Sequence, residues 1–362
     1  MTSYDMGTIV MDREIKKIIH TIAAASMTLL LWGCGRPASD PIEEGLNKVA
    51  LQEYDAAIEI LLPATESKAL REEAERGIGL AYMGRAEYGK AVQHFNNALK
   101  AAGTADGSLE CDINYYLAVS YAKLGETDKA IERLDAVIAV NPGDEAAMLE
   151  RGKLRLSIGE TEGAGEDFNK ASNAGKHNGG IYIDIYEDYA KFGKESEGAE
   201  FLTAAQALDK SKLNDYDNGR ICYYSGQVEE AANYFEHARS TGNSDTDLIR
   251  MLGRCYQDLD KGENASAIYQ GFLDEHEDPS VCNEMGLYYA KQGEYDKAAD
   301  AFARGISIAE NNTYMQTMKR NEIVCREYMG DYETAAELAA GYLEIYGPDE
   351  AMEKEYAFLI TR

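Results

Sequence analysis

Nine small residues recur along the chain at intervals close to 34 residues. They are Ala57, Ala91, Ala130, Ala164, Gly198, Ala231, Ala265, Ala298 and Ala335. Eight of them are followed four residues later by an aromatic residue or leucine, and in the fifth repeat this residue is Leu202. A period of this length is typical of repeat proteins, in which each unit buries its apolar face against its neighbours. The pattern therefore favours one elongated array, although 362 residues would suffice for two or three domains.

Residues 279–309 contain the clearest copy of the repeat. Residues at the 3, 4 and 7 spacing of a helix with one buried face occur in both halves: Cys282, Met285, Gly286 and Tyr289, then Tyr295, Ala298, Phe302 and Gly305. Gln292 and Gly293 lie between the two halves and mark a turn. The repeat is therefore predicted to be a helical hairpin.

This hairpin resembles the tetratricopeptide repeat, whose pattern combines a Leu-Gly pair, Tyr, Gly-x-Tyr, Ala, Phe and Ala. The match is nearly complete, with Met285 in place of the leucine and Gly305 in place of the last alanine. The resemblance implies an all-α fold, an α-solenoid of about nine tetratricopeptide helical hairpins. A last helix, predicted at residues 349–359, is expected to cap the array through one apolar face formed by Met352, Tyr356 and Leu359.

Residues 1–33 have the features of a signal peptide. Arg13, Lys16 and Lys17 precede an uncharged stretch, residues 18–33, that is short for a membrane span. The sequence Leu-Trp-Gly-Cys at residues 31–34 resembles the lipobox of bacterial lipoproteins, which implies cleavage before Cys34 and lipid attachment to its thiol. The alternative is an ordinary secretory signal with an incidental cysteine, and translation starting at Met11 instead of Met1 is a further alternative.

Residues 34–41 are predicted to be a flexible tether, because they are polar and rich in proline. The solenoid is then expected to occupy residues 42–362. This organisation predicts a protein that is lipid-anchored at the cell membrane, on its extracytoplasmic face.

The acidity of the chain limits its partners. It has 36 Lys and Arg residues against 64 Asp and Glu residues, a formal net charge of −28. Such a field repels phosphate, so nucleic acid is not expected as a partner. The excess charge serves solubility alone or favours basic partners.

Local signatures of catalysis and metal binding are absent from the sequence. The five cysteines beyond Cys34 contain no Cys-x-x-Cys pair, and the five histidines share no ligand spacing. Walker, G-x-S-x-G and H-E-x-x-H motifs are also missing. We therefore predict no enzyme activity, no cofactor and no metal, and buried free thiols at Cys111, Cys222, Cys255, Cys282 and Cys325.

The family resemblance implies a groove lined by the first helix of each hairpin, through the second, fifth, ninth, twelfth and thirteenth places of the repeat. In repeats six and seven these places include five candidate peptide-binding residues: Tyr216, Arg220, Tyr223, Arg250 and Arg254. Three guanidinium groups beside aromatic rings form a candidate clamp for a carboxylate or another anionic group. The alternative is a neutralised face, in which the arginines pair with Asp217, Asp247 and Asp258.

A second, apolar groove is expected near the start of the array. Its predicted walls are Ile42, Leu46, Val49, Leu80 and Met83. An exposed apolar surface of this kind would hold a hydrophobic ligand or the tether of the chain itself.

These features predict a membrane-tethered, exported tetratricopeptide repeat lipoprotein that acts as a protein–protein interaction scaffold. Its partners are expected to be a protein or peptide and, through the lipid anchor, the membrane. Two alternatives remain open: an assembly factor for envelope or secretion machinery, and a groove-based ligand-binding or enzyme-accessory subunit.

Overall fold

The computed structural model describes residues 40–102, 107–174, 180–308, 314–346 and 349–362. The predicted signal peptide, the lipid-attachment residue Cys34 and tether residues 34–39 lie outside these ranges. Of the other two predicted tether residues, Asp40 caps the first helix and Pro41 begins it.

The described residues fall into two compact units, divided around the ninth helix. The N-terminal unit holds the described residues up to 174 together with Asp184–Gly198. Its helices are α1 (Pro41–Ala50), α2 (Tyr54–Leu61), α3 (Arg71–Gly84), α4 (Tyr88–Ala102), α5 (Gly107–Lys123), α6 (Thr127–Val140), α7 (Glu145–Ser157), α8 (Thr161–Ala174) and most of α9 (Gly180–Lys191).

The C-terminal unit holds residues 180–183 together with Ala199–Arg362. Its helices are α10 (Ala199–Gln206), α11 (Asp215–Tyr224), α12 (Val228–Ser240), α13 (Thr246–Asp258), α14 (Gly262–Leu273), α15 (Pro279–Lys291), α16 (Tyr295–Ile308), α17 (Met315–Tyr328), α18 (Tyr332–Tyr346) and α19 (Glu350–Leu359). The described chain contains no strand. The repeat pattern did not predict the division into two units.

Within each unit consecutive helices pack as hairpins: α1 with α2, α3 with α4, α5 with α6 and α7 with α8 in the N-terminal unit, and α11 with α12, α13 with α14, α15 with α16 and α17 with α18 in the C-terminal unit, where α19 follows the last one. The predicted all-α fold of repeated helical hairpins is therefore confirmed. The predicted cap is also present, because Met352 and Leu359 of α19 are buried in a cluster with Ile323, Ala335 and Tyr342. Tyr356 packs against the same cluster and is partly buried.

Each hairpin turn contains one residue with a left-handed backbone. Six are glycines, Gly125, Gly159, Gly193, Gly226, Gly293 and Gly330, and three are other residues, Gln52, Ala86 and Asp260. Because these nine positions are separated by the same intervals as the nine small residues, the turn and the helix register repeat together. Glycine adopts this conformation without steric cost, which explains its use at most of the turns.

The closest packing inside a hairpin is between a glycine of the first helix and a ring of the second. The ring of Phe302 is fully buried, and a Cβ atom on Gly286 would lie 2.5 Å from it. A Cβ on Gly152 would likewise lie 2.6 Å from the ring of Phe168. Any side chain at these positions would have to displace a packed aromatic ring, so the sequence keeps glycine there.

All nine recurring small residues are buried, but the fifth repeat departs from the predicted core. Phe201 is buried in α10, whereas the predicted core residue Leu202 is only partly buried. The reason is local: Gly198 lies in a bend before α10 and not within a helix, which shifts the buried stripe by one residue.

The prediction of an exposed apolar groove near the start of the array is wrong. Ile42, Val49, Leu80 and Met83 are buried in two core clusters that also contain side chains of α2, and Leu46 packs against both clusters. These apolar side chains are used to join the first two hairpins, so they leave no open surface for a ligand or the tether.

We predict opposite effects for two glycine-to-alanine changes in the C-terminal unit. Gly286→Ala should destabilise the protein by about 1–3 kcal/mol, because the added methyl group meets the ring of Phe302. Gly271→Ala is the matched control, because Gly271 is an exposed residue of α14 whose added Cβ would meet nothing within 4 Å. This change should stabilise the protein by about 0.4–1 kcal/mol. Urea unfolding midpoints measure both changes, and a stabilised Gly286→Ala protein would contradict the packing account.

Candidate functional site

The five candidate peptide-binding residues lie on two first helices of the C-terminal unit. Tyr216, Arg220 and Tyr223 are on α11, and Arg250 and Arg254 are on α13. The arginine side chains differ in exposure: 3% for Arg220, 7% for Arg250 and 38% for Arg254. Arg254 is therefore the member of the predicted clamp that is most accessible to a partner.

Two of the arginines pair with an aspartate on their own helix. Arg220 Nη1 donates to Asp217 Oδ1 at 3.0 Å, and the guanidinium lies 5.3 Å from the ring centroid of Tyr216. Arg250 Nη1 donates to Asp247 Oδ1, also at 3.0 Å. Both pairs join residues three positions apart, which lie on the same face of a helix. This is the arrangement that the neutralised-face alternative predicts.

A carboxylate that the sequence reasoning missed, Glu284 on α15, connects repeats seven and eight. Glu284 Oε1 accepts from Arg250 Nη2 at 3.0 Å and from Arg254 Nη2 at 2.6 Å. Its side chain is only 8% exposed. Glu284 follows Arg250 by 34 residues, one repeat length, and this separation is the sequence signal that could have identified the pair.

The buried carboxylate is held in its charged form. Burial raises the pKa of Glu284, but attraction to Arg254 and Arg250 outweighs burial and lowers this pKa to about 2. The same attraction to Glu284 raises the pKa of Arg254 above its usual value. The ion pairs therefore persist at neutral pH.

Asp258, which the neutralised-face alternative pairs with an arginine, has Tyr223 as its hydrogen-bond partner. Its Oδ2 accepts a hydrogen bond from the hydroxyl of Tyr223 at 2.9 Å. Burial and this hydrogen bond raise the pKa of Tyr223, so its hydroxyl stays neutral. Asp258 itself is exposed. The partner of Arg254 is thus Glu284 and not Asp258.

The same face carries apolar residues among charged ones in the following repeats. At the implied groove positions α15 has Leu287 and Lys291, and α17 has Arg320, Val324, Glu327 and Tyr328. Val324 is 42% exposed and Tyr328 is 66% exposed. The ring of Tyr328 stacks on Tyr295 of α16, with centroids 4.6 Å apart and planes 7° from parallel.

The N-terminal unit contains a comparable buried ion-pair network. Asp167 of α8 is fully buried and accepts from Arg151 Nε at 2.9 Å and from Arg155 Nη1 at 2.7 Å. Lys153, on the implied groove side of α7, donates to Glu150 at 2.6 Å. Both units therefore neutralise internally the basic residues that their first helices carry at these sites.

The possible metal ligands and the cysteines are the residues that bear on metal binding and thiol chemistry. Over these residues, no group of three or more His, Cys, Asp or Glu side chains is arranged to hold a metal ion. Cys222, Cys255, Cys282 and Cys325 are buried and form no disulfide bonds, and Cys111 is half-buried. Burial raises the pKa of the Cys255 thiol to about 12, which disfavours the reactive thiolate.

None of the helices that the structure describes is both long enough and apolar enough to cross a bilayer.

Comparison with known proteins agrees with the helical hairpins. Residues 115–177 and residues 279–312 match two family models, both described as tetratricopeptide repeat. The second match covers the hairpin of α15 and α16. These matches show that the two matched segments are tetratricopeptide repeats, in agreement with their helical-hairpin geometry.

The similar full-length proteins are longer than this chain. A TPR repeat-containing protein of Methanocaldococcus jannaschii is 22% identical over 82% of this chain and 53% of its own length. A tetratricopeptide repeat and J domain-containing co-chaperone of Fusarium oxysporum f. sp. lycopersici is 24% identical over 43% of this chain and 32% of its own length. The chain thus spans about half or less of the length of these relatives.

Two solved structures are similar at low identity. A tetratricopeptide repeat protein from Parabacteroides merdae is 18% identical, with a TM-score of 0.47, and the match covers 78% of this chain and 97% of that protein. YrrB, described as a TPR protein with an unusual peptide-binding site, is 22% identical with a TM-score of 0.38, over 46% of this chain and 82% of that protein.

We predict that Glu284 gives stability that disappears in acid. Its folded pKa of about 2 lies below the usual value of 4.5, so its contribution is complete above about pH 4.5 and is lost as the pH falls towards 2. Glu284→Gln should therefore destabilise the protein by on the order of 3 kcal/mol at pH 7, because two arginines lose their shared counter-charge, and by much less near pH 2.

Urea unfolding between pH 7 and pH 2.5 measures this difference. Glu263→Gln, on the exposed side of α14, is the matched control and should behave like the wild type at every pH. A gap between wild type and Glu284→Gln that stays constant with pH would show that the carboxylate is not held in its charged form.

Proposed function

We propose that this protein is a membrane-tethered, exported scaffold that binds a protein or peptide segment along its first helices. Tetratricopeptide repeat proteins mediate protein–protein interaction or peptide binding. The main support is the face formed by α11, α13, α15 and α17, on which buried ion pairs fix polar side chains beside exposed apolar ones. Binding by shape and contact requires no reactive group.

Rigidity is the property that suits this face to binding. Arg250, Arg254 and Glu284 connect two hairpins through three side chains that have little freedom to reorient. A partner therefore meets groups that are already positioned, and the entropy cost of ordering them on binding is small.

The proposed tether rests on the sequence of the first 34 residues. A charged start, a short apolar stretch and the Leu-Trp-Gly-Cys segment ending at Cys34 are the features of a lipoprotein signal. A lipid at Cys34 would place the hairpins close to the membrane, since only residues 35–40 separate this cysteine from α1. A tethered scaffold would raise the local concentration of its partner at the membrane.

Affinity capture from detergent-solubilised membranes tests the scaffold proposal. The full chain should retain one protein in stoichiometric amount, and the purified partner should bind the purified chain directly in a titration. Retention of a defined set of several subunits would favour the assembly-factor alternative. Recovery of no protein, with saturable uptake of a small solute, would contradict the scaffold proposal.

We predict that Cys34→Ala abolishes lipid attachment without unfolding the repeats. Each buried methylene of a lipid chain contributes about 0.8 kcal/mol to membrane binding, so the loss should be evident in fractionation. The variant should appear in the soluble fraction or remain uncleaved in the membrane. Cys111→Ala, a cysteine within α5, is the matched control and should fractionate like the wild type. A correctly cleaved Cys34→Ala protein that stays membrane-bound would refute the anchor.

A further inference from the structure

The polar part of the first-helix face in the C-terminal unit has an excess of negative charge. Three arginines, Arg220, Arg250 and Arg254, are matched by three carboxylates, Asp217, Asp247 and Glu284. Asp258 is a fourth carboxylate, and its hydrogen-bond partner is the uncharged hydroxyl of Tyr223. In the part of the chain that the structure describes, no basic side chain lies within ion-pair distance of Asp258. An approaching cation would therefore meet an exposed counter-charge at Asp258. The equivalent place of the next repeat holds Lys291, which is exposed.

Arg254 retains hydrogen-bonding capacity although its charge is balanced. Its Nε and Nη2 point to Glu284, at 3.4 Å and 2.6 Å from the carboxylate oxygens. Among the described residues Nη1 has no acceptor, and 38% of the side chain is exposed. A guanidinium with free N–H groups and a neutralised charge is suited to donate to a main-chain carbonyl of a bound peptide.

The apolar part of the face lies two repeats further along the chain. Val324 and Tyr328 of α17 are exposed, and the stacking of Tyr328 on Tyr295 fixes the orientation of its ring. A rigid, exposed aromatic ring offers a large contact area at low entropic cost, which is why such rings often act as anchors for a partner.

The two parts lie at equivalent places in their repeats. Asp258 is two residues before the left-handed Asp260, and Tyr328 is two residues before the left-handed Gly330. Neighbouring packed helices are separated by roughly 8–10 Å, so a displacement of two repeats corresponds to roughly 20 Å. An extended chain advances about 3.3 Å per residue and covers this distance in about six residues.

We propose that this face binds an extended peptide segment that carries a Lys or Arg side chain for Asp258 and, about six residues away, an apolar or aromatic side chain for Val324 and Tyr328. Arg254 donates to a main-chain carbonyl between these two anchors. The inference rests on the proposed scaffold function and specifies its partner. It replaces the anionic ligand of the predicted arginine clamp with a cationic one.

The test uses the full chain in detergent micelles and a display library of random dodecapeptides with balanced acidic and basic residues. Enriched peptides should contain Lys or Arg five to seven positions from Phe, Tyr, Leu or Ile. One enriched peptide is then synthesised with its basic residue intact and with that residue changed to Gln, and both forms are titrated against the wild-type chain and its variants.

Asp258→Asn should weaken binding of the basic peptide by about three- to tenfold and leave the Gln form unchanged, because the amide oxygen still accepts from Tyr223 but the charge is lost. Tyr328→Ala should weaken both forms by about tenfold. Val324→Ser provides a second test of the apolar anchor without disturbing the Tyr295 stack. Glu263→Gln on α14 is the control and should bind both forms like the wild type.

Three outcomes would overturn the inference. The first is enrichment of acidic peptides whose binding is lost in Arg254→Ala, which would restore the anionic clamp. The second is enrichment of basic peptides that bind Asp258→Asn as well as wild type. The third is no enrichment at all. In each case the scaffold function is judged separately, by whether the protein captured from membranes still binds the purified chain.

Discussion

The contact between a first-helix glycine and a second-helix ring is the constraint on which the rest of the structure depends. The ring of Phe302 occupies the space where a side chain on Gly286 would project, and Phe168 and Gly152 repeat the arrangement in the N-terminal unit. A single helix cannot bury its apolar face alone, and the hairpin does so because the ring closes against bare backbone. With both helices fixed in this way, hairpins stack on their neighbours within each unit, and the first helices present their remaining side chains together.

The side chains on that shared face are mostly charged, and their arrangement follows from the cost of burying charge. An unpaired buried arginine or carboxylate would be strongly destabilising, so each buried group needs a partner of opposite sign. Arg250 is satisfied by Asp247 on its own helix and by Glu284 on the next first helix. Asp167 of α8 is satisfied by Arg151 and Arg155 of α7, the other helix of its hairpin. Because the arginines are paired, they no longer form a strong anion-binding site. Asp258, whose carboxylate is exposed, is the charged group of α13 that remains open to a partner.

The sequence predicted those features that depend on local spacing. The period of the small residues predicted nine hairpins, and the apolar side chains Met352, Tyr356 and Leu359 predicted the capping helix. Features that depend on the offset between neighbouring helices were not predicted. The 34-residue spacing suggests the pairing of Glu284 with Arg250, but its pairing with Arg254, 30 residues away, requires knowing which levels of adjacent repeats face each other. In the fifth repeat the bend at Gly198 shifted the core from Leu202 to Phe201.

The central claim is that a partner binds along the first helices of the C-terminal unit. Hydrogen exchange of the full chain, with and without the protein captured from membranes, tests it most directly, because exchange reports local opening along the chain. The account predicts slower exchange in α11, α13, α15 and α17 on binding, with little change in α12, α14 and α16. Slower exchange confined to α12, α14 and α16, or to the N-terminal unit, would contradict it.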